Sequence, residues 1–323
     1  FFPLFPMLGH TVKLATGVET RDALLIVSFV SLGGAFVALR AYTRSRLPEA
    51  PDEDRDYVLL AFGLWPATFF FRMAYPEPLF ILLAIVVLLS IERKWPVWAA
   101  ALIAGLASAA RPVGIALALP VAISAWRSGA TVPSRLARVT IAVPLACWGL
   151  IGYMAYQHRE YGDALQFIHA QSYWRVRPEL PVPQRAVALL TGEPIRGLYD
   201  RSSSIYWRYK EEHRVMLFSF LAADVPLFVI VVAGVIVGWR RRWLNANELA
   251  LSAALLLIPY VTRAYEMGMA GEGRFAAAVF PFYLVAGRVM CALPRATAAA
   301  LLGTAGVFLM IYSSFVSAGF TLK

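Results

Sequence analysis

Residues 77–126 read EPLFILLAIVVLLSIERKWPVWAAALIAGLASAARPVGIALALPVAISAW, three apolar runs with only a few residues between them. Taken as helices, 77–91, 97–110 and 112–126 form a tightly spaced group joined by short turns. Small residues crowd 99–110 (AAALIAGLASAA), which suits close helix packing in a membrane. A crossing takes about 20 mostly apolar residues, so several of these runs are short on their own. The pattern nevertheless repeats at 23–40, 57–73, 139–155, 216–238, 247–262, 275–292 and 297–316. Prolines such as Pro66, Pro112 and Pro144 sit in or beside the runs, as membrane helices allow where neighbours re-satisfy the backbone. The expectation is an all-α membrane protein, a polytopic helical bundle of about ten transmembrane helices forming a single domain over 1–323.

Composition points the same way. Of 323 residues, 59% are hydrophobic and 15% charged, against roughly a quarter charged in a soluble domain. The net charge of +10 could suggest nucleic acid, but the basic residues lie between apolar runs and no basic stripe with interleaved aromatics stands clear of them. No nucleic-acid partner is expected. Cys147 and Cys291 both fall inside apolar runs and belong to no metal-spaced pair, which argues against a structural metal or a disulfide framework. The chain opens FFPLFP without a Met, so a segment upstream of Phe1 is expected.

Alternating the ten runs gives an orientation. One side collects Arg40, Arg44, Arg46, Arg55, Arg93, Lys94, Arg127, Arg135, Arg138, Arg240, Arg241, Arg242, Arg288 and Arg295, fourteen basic residues in short loops. The other receives only seven: Lys13, Arg21, Arg72, Arg111, Arg263, Arg274 and Lys323. Basic residues favour the cytoplasmic side, so both termini and the long loop 156–215 are expected outside. That loop is rich in Tyr, Trp, Arg and Pro and is far longer than the usual helix–helix connection, which marks it as functional.

Four outer clusters could carry chemistry. In RMAYPEP (72–78), Pro76 and Pro78 flank Glu77 and are expected to hold it on a stiff outer turn. Its carboxylate could act as a general base or pair with Arg72 or Arg111 as structural glue. In ARP (110–112), Arg111 stands at the end of an apolar run, where a guanidinium suits either a phosphate or lipid headgroups. In YGDALQFIHAQSYWRVR (161–177), Asp163, Gln166, His169, Gln171, Trp174 and Arg175 mix amides, charges and aromatic platforms. Spacing of three puts Gln166 and His169 on one helical face. The segment suits either a sugar-binding surface or a helix resting at the interface. In GEGRF (271–275), two glycines around Glu272 suggest a mobile turn, with Arg274 facing a phosphate zone. Nucleotide loops, HExxH, GxSxG and dinucleotide fingerprints are absent, which argues against an ATP-driven pump or a grafted soluble hydrolase.

FFPLFP (1–6), AYPEPLF (74–80), GLASAARPVGIALALP (105–120), GDALQFIHAQSYW (162–174) and GRFAAAVFPFY (273–283) together resemble the GPI mannosyltransferase II family and its bacterial relatives. The resemblance runs in order along most of the chain. It implies a class C glycosyltransferase that moves a sugar, typically mannose, from a polyprenyl-phosphate donor to an acceptor hydroxyl on the lumenal or periplasmic side. The partners implied are membrane lipid, the lipid-linked donor and an acceptor that the motifs do not identify; no cofactor is implied. On this resemblance Arg72, Arg111 and Arg274 bind the donor phosphate, and Asp163, Gln166, His169, Gln171, Trp174, Arg175 and Glu272 contact substrate. The family carries an aspartate-bearing loop and a helix ahead of its FFPLFP-like block, so either that acid lies upstream or Glu77 serves as the base. Ala- and Arg-rich usage favours a bacterial inner membrane, with the active face periplasmic or extracellular. A secondary transporter and a non-catalytic scaffold are the rival expectations.

Overall fold

A computed structural model describes residues 2–203, 205–207 and 220–318. Among these residues the protein is all helical, without a strand. Parts of the expected 156–215 loop and 216–238 run, together with Phe1 and Lys323, lie outside the described residues.

The chain begins with α1 (Leu4–Thr16), closed by Gly17 in the left-handed conformation, and α2 (Thr20–Arg46). There follow α3 (Asp52–Leu64), a 3₁₀ turn over Pro66–Arg72, α4 (Glu77–Glu92) and α5 (Val97–Ala110). A second 3₁₀ turn, Pro112–Leu117, leads into α6 (Ala118–Ser128). Next come α7 (Val132–Ala146) and α8 (Trp148–Tyr161), then short α9 (Gln166–His169), α10 (Val182–Leu190) and α11 (Glu193–Arg196). The chain closes with α12 (Phe220–Arg240), α13 (Ala246–Pro259), a π turn over Tyr260–Ala264, α14 (Glu272–Ala277), α15 (Pro281–Ala292) and α16 (Arg295–Ser317).

Helix α4 is the centre of the packing. It lies against α2 and α5, and its Phe80, Ile81, Ala84, Ile85 and Val87 are fully buried. The small residues of α5 let a neighbour approach closely: Ala100, Ala101, Ala104 and Ala107 are buried, and Trp148 of α8 donates from Nε1 to the Leu102 carbonyl at 3.1 Å. On the outside the pattern inverts. Val30 and Val37 of α2, Ile141 of α7 and Met310 of α16 are exposed, and only 17% of the apolar window of α16 is buried. Apolar side chains turned outward along whole helices suit lipid as the surrounding solvent.

On length and composition, Thr20–Arg46, Ala223–Arg240 and Arg295–Ser317 can each cross a membrane. Two bent pairs could add one span each: Pro66–Arg72 with Glu77–Glu92, bent by 104°, and α7 with α8, bent by 55°. The described residues therefore hold three to five candidate spans. Val97–Ala110, Pro112–Ser128 and Pro281–Ala292 are apolar but shorter; α5, with 14 residues, reaches about 21 Å. The breaks follow the prolines. Pro144 lies inside α7, where its ring and missing N–H interrupt the backbone ladder just before the bend at Cys147.

Glu77 departs from the sequence expectation. It is the first residue of α4 and is fully buried, where a stiff outer turn was expected. A proline in the first helical turn removes an N–H that would have no intrahelical partner, so Pro78 starts the helix.

Candidate functional site

The charged residues gather at one end of the bundle because several chain breaks meet there. Arg111 ends α5 with extended backbone (φ −151°, ψ 145°), and the following 3₁₀ turn folds back onto that helix. The fold-back needs Gly114, since a Cβ there would stand 2.5 Å from the Ala107 carbonyl oxygen. Glu77 opens α4, and Arg263 lies in the π turn that ends α13. Gly271, at φ +81°, leads into Glu272, the first residue of α14, and Arg274 follows one half-turn on.

Glu77 is the hub. Its Oε1 accepts from Nε of Arg274 and also pairs with that side chain's Nη2. Nη1 of Arg111 stands 3.4 Å from the same oxygen. The second oxygen, Oε2, is buried and accepts no hydrogen bond among the described residues. Aromatic faces complete the cradle: Arg274 lies over Tyr75 at 4.4 Å and Phe70 at 5.0 Å. Arg111 and Arg263 share Phe275, at 5.2 and 5.1 Å from its ring centre.

Beside this hub, Asp224 of α12 accepts from the backbone N–H of Gly271 at 2.6 Å and of Gly273 at 3.1 Å. A Cβ at position 273 would sit 2.6 Å from Asp224 Oδ1, so the contact requires glycine. This clamp holds the GEGRF turn, for which the sequence suggested mobility. Glu272 is buried and neither carboxylate oxygen has a hydrogen-bond partner among the described residues. Burial, then the nearby Asp224 charge, pushes its pKa up to about 8 against the pull of Arg263. Glu272 therefore favours its protonated form, and the guanidiniums of Arg111, Arg263 and Arg274 gather around the carboxylate of Glu77. The cluster carries a surplus of positive charge around a buried Arg111 and two half-buried arginines.

Arg72 stands apart from this cluster. It donates from Nη1 to the Thr68 carbonyl at 3.1 Å and from Nη2 to the Gly63 carbonyl at 2.8 Å, tying the 3₁₀ turn to α3. The residues 163–175 form a separate outer layer. Asp163 Oδ2 lies 2.6 Å from Nδ1 of His169, while Gln166, His169 and Trp174 are exposed. Arg175 pairs with Glu266 at 2.7 Å and with Glu179 at 2.7 Å. Gln171 is half-buried.

No family model, curated protein or solved structure matches the chain.

The sequence did not single out Asp224. Its one signal was a lone acid within an apolar run, which at membrane depth marks a structural or functional partner. A second buried group was also passed over: Glu248 of α13 accepts from the Tyr42 hydroxyl at 2.7 Å and from Arg46 Nε at 3.1 Å. This pair sits at the far end of α13 from Arg263, about 22 Å away along the helix.

Proposed function

We propose that the protein is an integral membrane glycosyltransferase of the class C type, moving a sugar, with mannose as the first choice, from a polyprenyl-phosphate donor to an acceptor. The observation that carries this reading is the gathering of three guanidiniums, the buried Arg111 and the half-buried Arg263 and Arg274, around Glu77 and a buried Glu272 that favours its protonated form. Planar forks in a low-dielectric site are suited to a phosphate, and they stabilise the charge that develops there when the sugar leaves. Glu77 then serves to hold Arg111 and Arg274 in place. Arg72 braces the neighbouring turn, and the 163–175 layer with Asp163, Gln166, His169, Gln171, Trp174 and Arg175 receives the acceptor and the sugar.

The reading also carries the orientation expected from the basic residues. On the ten crossings expected from the sequence, the cluster and the 156–215 loop would lie on the extracytoplasmic side of a bacterial inner membrane. The buried Glu248–Arg46 pair, at the opposite end of α13, then lies toward the cytoplasm, where Arg44 and Arg46 were expected.

One observation favours a secondary transporter instead. The 104° break ahead of Glu77 and the π turn at Arg263 put interrupted helices beside charged groups, as ion-coupled carriers do. The deciding experiment supplies membranes carrying the protein with polyprenyl-phosphate-linked mannose, glucose or arabinose and measures free polyprenyl phosphate. Release supports the transferase. Absence of release, with solute flux in proteoliposomes, would replace it with the carrier; absence of both would leave a scaffold.

A further inference from the structure

We propose that α10 is a membrane seat: its outward face lies in the adjoining leaflet, at the boundary between headgroups and acyl chains, and braces the arginine cluster from there. The helix is inside-out for a surface that meets water. Pro183, Ala186, Val187 and Leu190 fall at i, i+3, i+4 and i+7, on one helical face, and all four are exposed. Leu190 is 88%, Val182 71% and Val187 60% exposed. Arg185 is the only charged residue of the helix, and it shares the opposite, half-buried face with Ala188 and Leu189. A surface helix in water turns its apolar stripe to the protein and its charge to the solvent. Here both are reversed, which an apolar surrounding favours.

The neighbours of α10 favour lipid over another protein as that surrounding. The Tyr260 hydroxyl donates to the Leu189 carbonyl at 2.9 Å, which sets α10 against the π turn that ends α13. Along α13 and that turn, Ala253, Leu257 and Val261 are exposed at i, i+4 and i+8, an apolar stripe turned outward. The face of α10 takes up where this stripe ends. Tyr173 before the helix and Tyr199 after it are exposed, and tyrosine is a residue that collects at membrane–water boundaries. A second copy is a poor occupant. Nine residues make a helix about 14 Å long and about 10 Å wide, far short of the roughly 800 Å² per partner that a stable interface buries.

The inward face gives the seat its use. Nη1 of Arg185 lies 3.2 Å from Oε1 of Glu266, whose Oε2 lies 2.7 Å from Nε of Arg175. The Glu266 carbonyl accepts from the N–H groups of Val176 and Arg177 at 2.9 and 3.1 Å. Glu266 is buried and stands three residues beyond Arg263, so lipid contact at α10 steadies the stretch that carries this arginine. The seat serves a transferase and a carrier alike.

The test places benzoylphenylalanine at Val187, at Leu190 and, as a control, at the exposed Glu49, each in the full chain in phosphatidylcholine nanodiscs. Irradiation joins the ketone carbon to a nearby C–H carbon, and the intact mass reports what was captured. Phospholipid adducts at 187 and 190, several-fold more abundant than at 49, are the expected result. A crosslinked dimer overturns the proposal in favour of a second copy. Absence of lipid adducts overturns it in favour of water, and equal adducts at all three sites overturn it as indiscriminate capture. A second measurement needs no label. Leu190→Glu puts a charge where acyl chains should lie, at a position too exposed to disturb packing. Proteolysis tracks the opened population, so tryptic cleavage after Arg185 in nanodiscs should speed several-fold, and an unchanged rate overturns the seat.

Discussion

The buried Glu77 and the half-buried Arg274, 197 residues apart in sequence, meet in an ion pair in which one carboxylate oxygen takes both Nε and Nη2 of the guanidinium. Removing one partner of such a pair strands the other charge out of water, which costs about 3–5 kcal/mol. Glu77→Ala is therefore expected to lower thermal stability in detergent far more than a surface substitution such as Glu49→Ala. The double variant Glu77→Ala/Arg274→Ala should be less damaged than the two single losses added together. Additive losses in a double-mutant cycle would show that the pair does not hold α4 to α14.

Arg111 is expected to matter for transfer more than for folding. It is buried and 3.4 Å from a carboxylate oxygen that Arg274 already occupies. Arg111→Ala leaves Glu77 with a guanidinium partner but takes one fork from the anion site. Loss of a preorganised donor of this kind costs about 100- to 1,000-fold in rate. Release of polyprenyl phosphate should fall by that factor with membrane expression retained, and unchanged release would remove Arg111 from the phosphate role.

Trp174 is 70% exposed on the outer layer, so its removal should not disturb packing. If it supplies a platform for the acceptor, Trp174→Ala raises the acceptor concentration needed for half-maximal rate by about 2- to 10-fold, the scale of one lost aromatic contact. Donor binding should change little. Equal effects on donor and acceptor titrations would contradict the assignment.

Sequence reasoning reached the helices and the residues at their ends, but not who meets whom. The small residues of 99–110 announced a close approach, and α8 does come close there. The run at 77–91 was legible from apolarity alone. Glu77 was misjudged because a proline on each side reads equally as a turn or a helix start, and burial, set by α2 and α5, decides between them. Arg111 was among the partners foreseen for Glu77; Arg274 was not, because no local pattern links residues so far apart. Asp224 was overlooked for a related reason. Its role depends on Gly271 and Gly273, which reach it only once α12 and α14 pack together.

The α5–α8 crossing offers a stability test independent of any chemistry. A Cβ on Gly149 would collide with the Gly105 carbonyl oxygen, and one on Gly105 with the Trp148 ring. Gly152, in the same helix, has nothing within 4 Å of the added carbon. Gly149→Ala should cost roughly 1–3 kcal/mol by overpacking, while Gly152→Ala should be neutral or slightly stabilising through helix propensity. Matching melting temperatures for the two variants would argue against the crossing.

Glu272 makes the protein's stability depend on pH in a set direction. Its pKa lies near 8 when folded, above the ordinary 4.5, so folding favours its protonated form. The stabilisation is complete below about pH 4.5 and is lost as pH rises toward 8, because only the unfolded chain sheds the proton freely across that window. Other groups titrate over the same range, so the useful measurement is a difference. Glu272→Gln keeps the shape and removes the proton equilibrium, and its melting temperature should exceed that of the wild type progressively from pH 5 to 8. The gap should stop widening once Glu272 is ionised in the folded protein. A constant gap across that range would mean that Glu272 is already ionised in the fold. The cluster would then hold one more negative charge, and the excess positive charge that suits it to an anion would shrink.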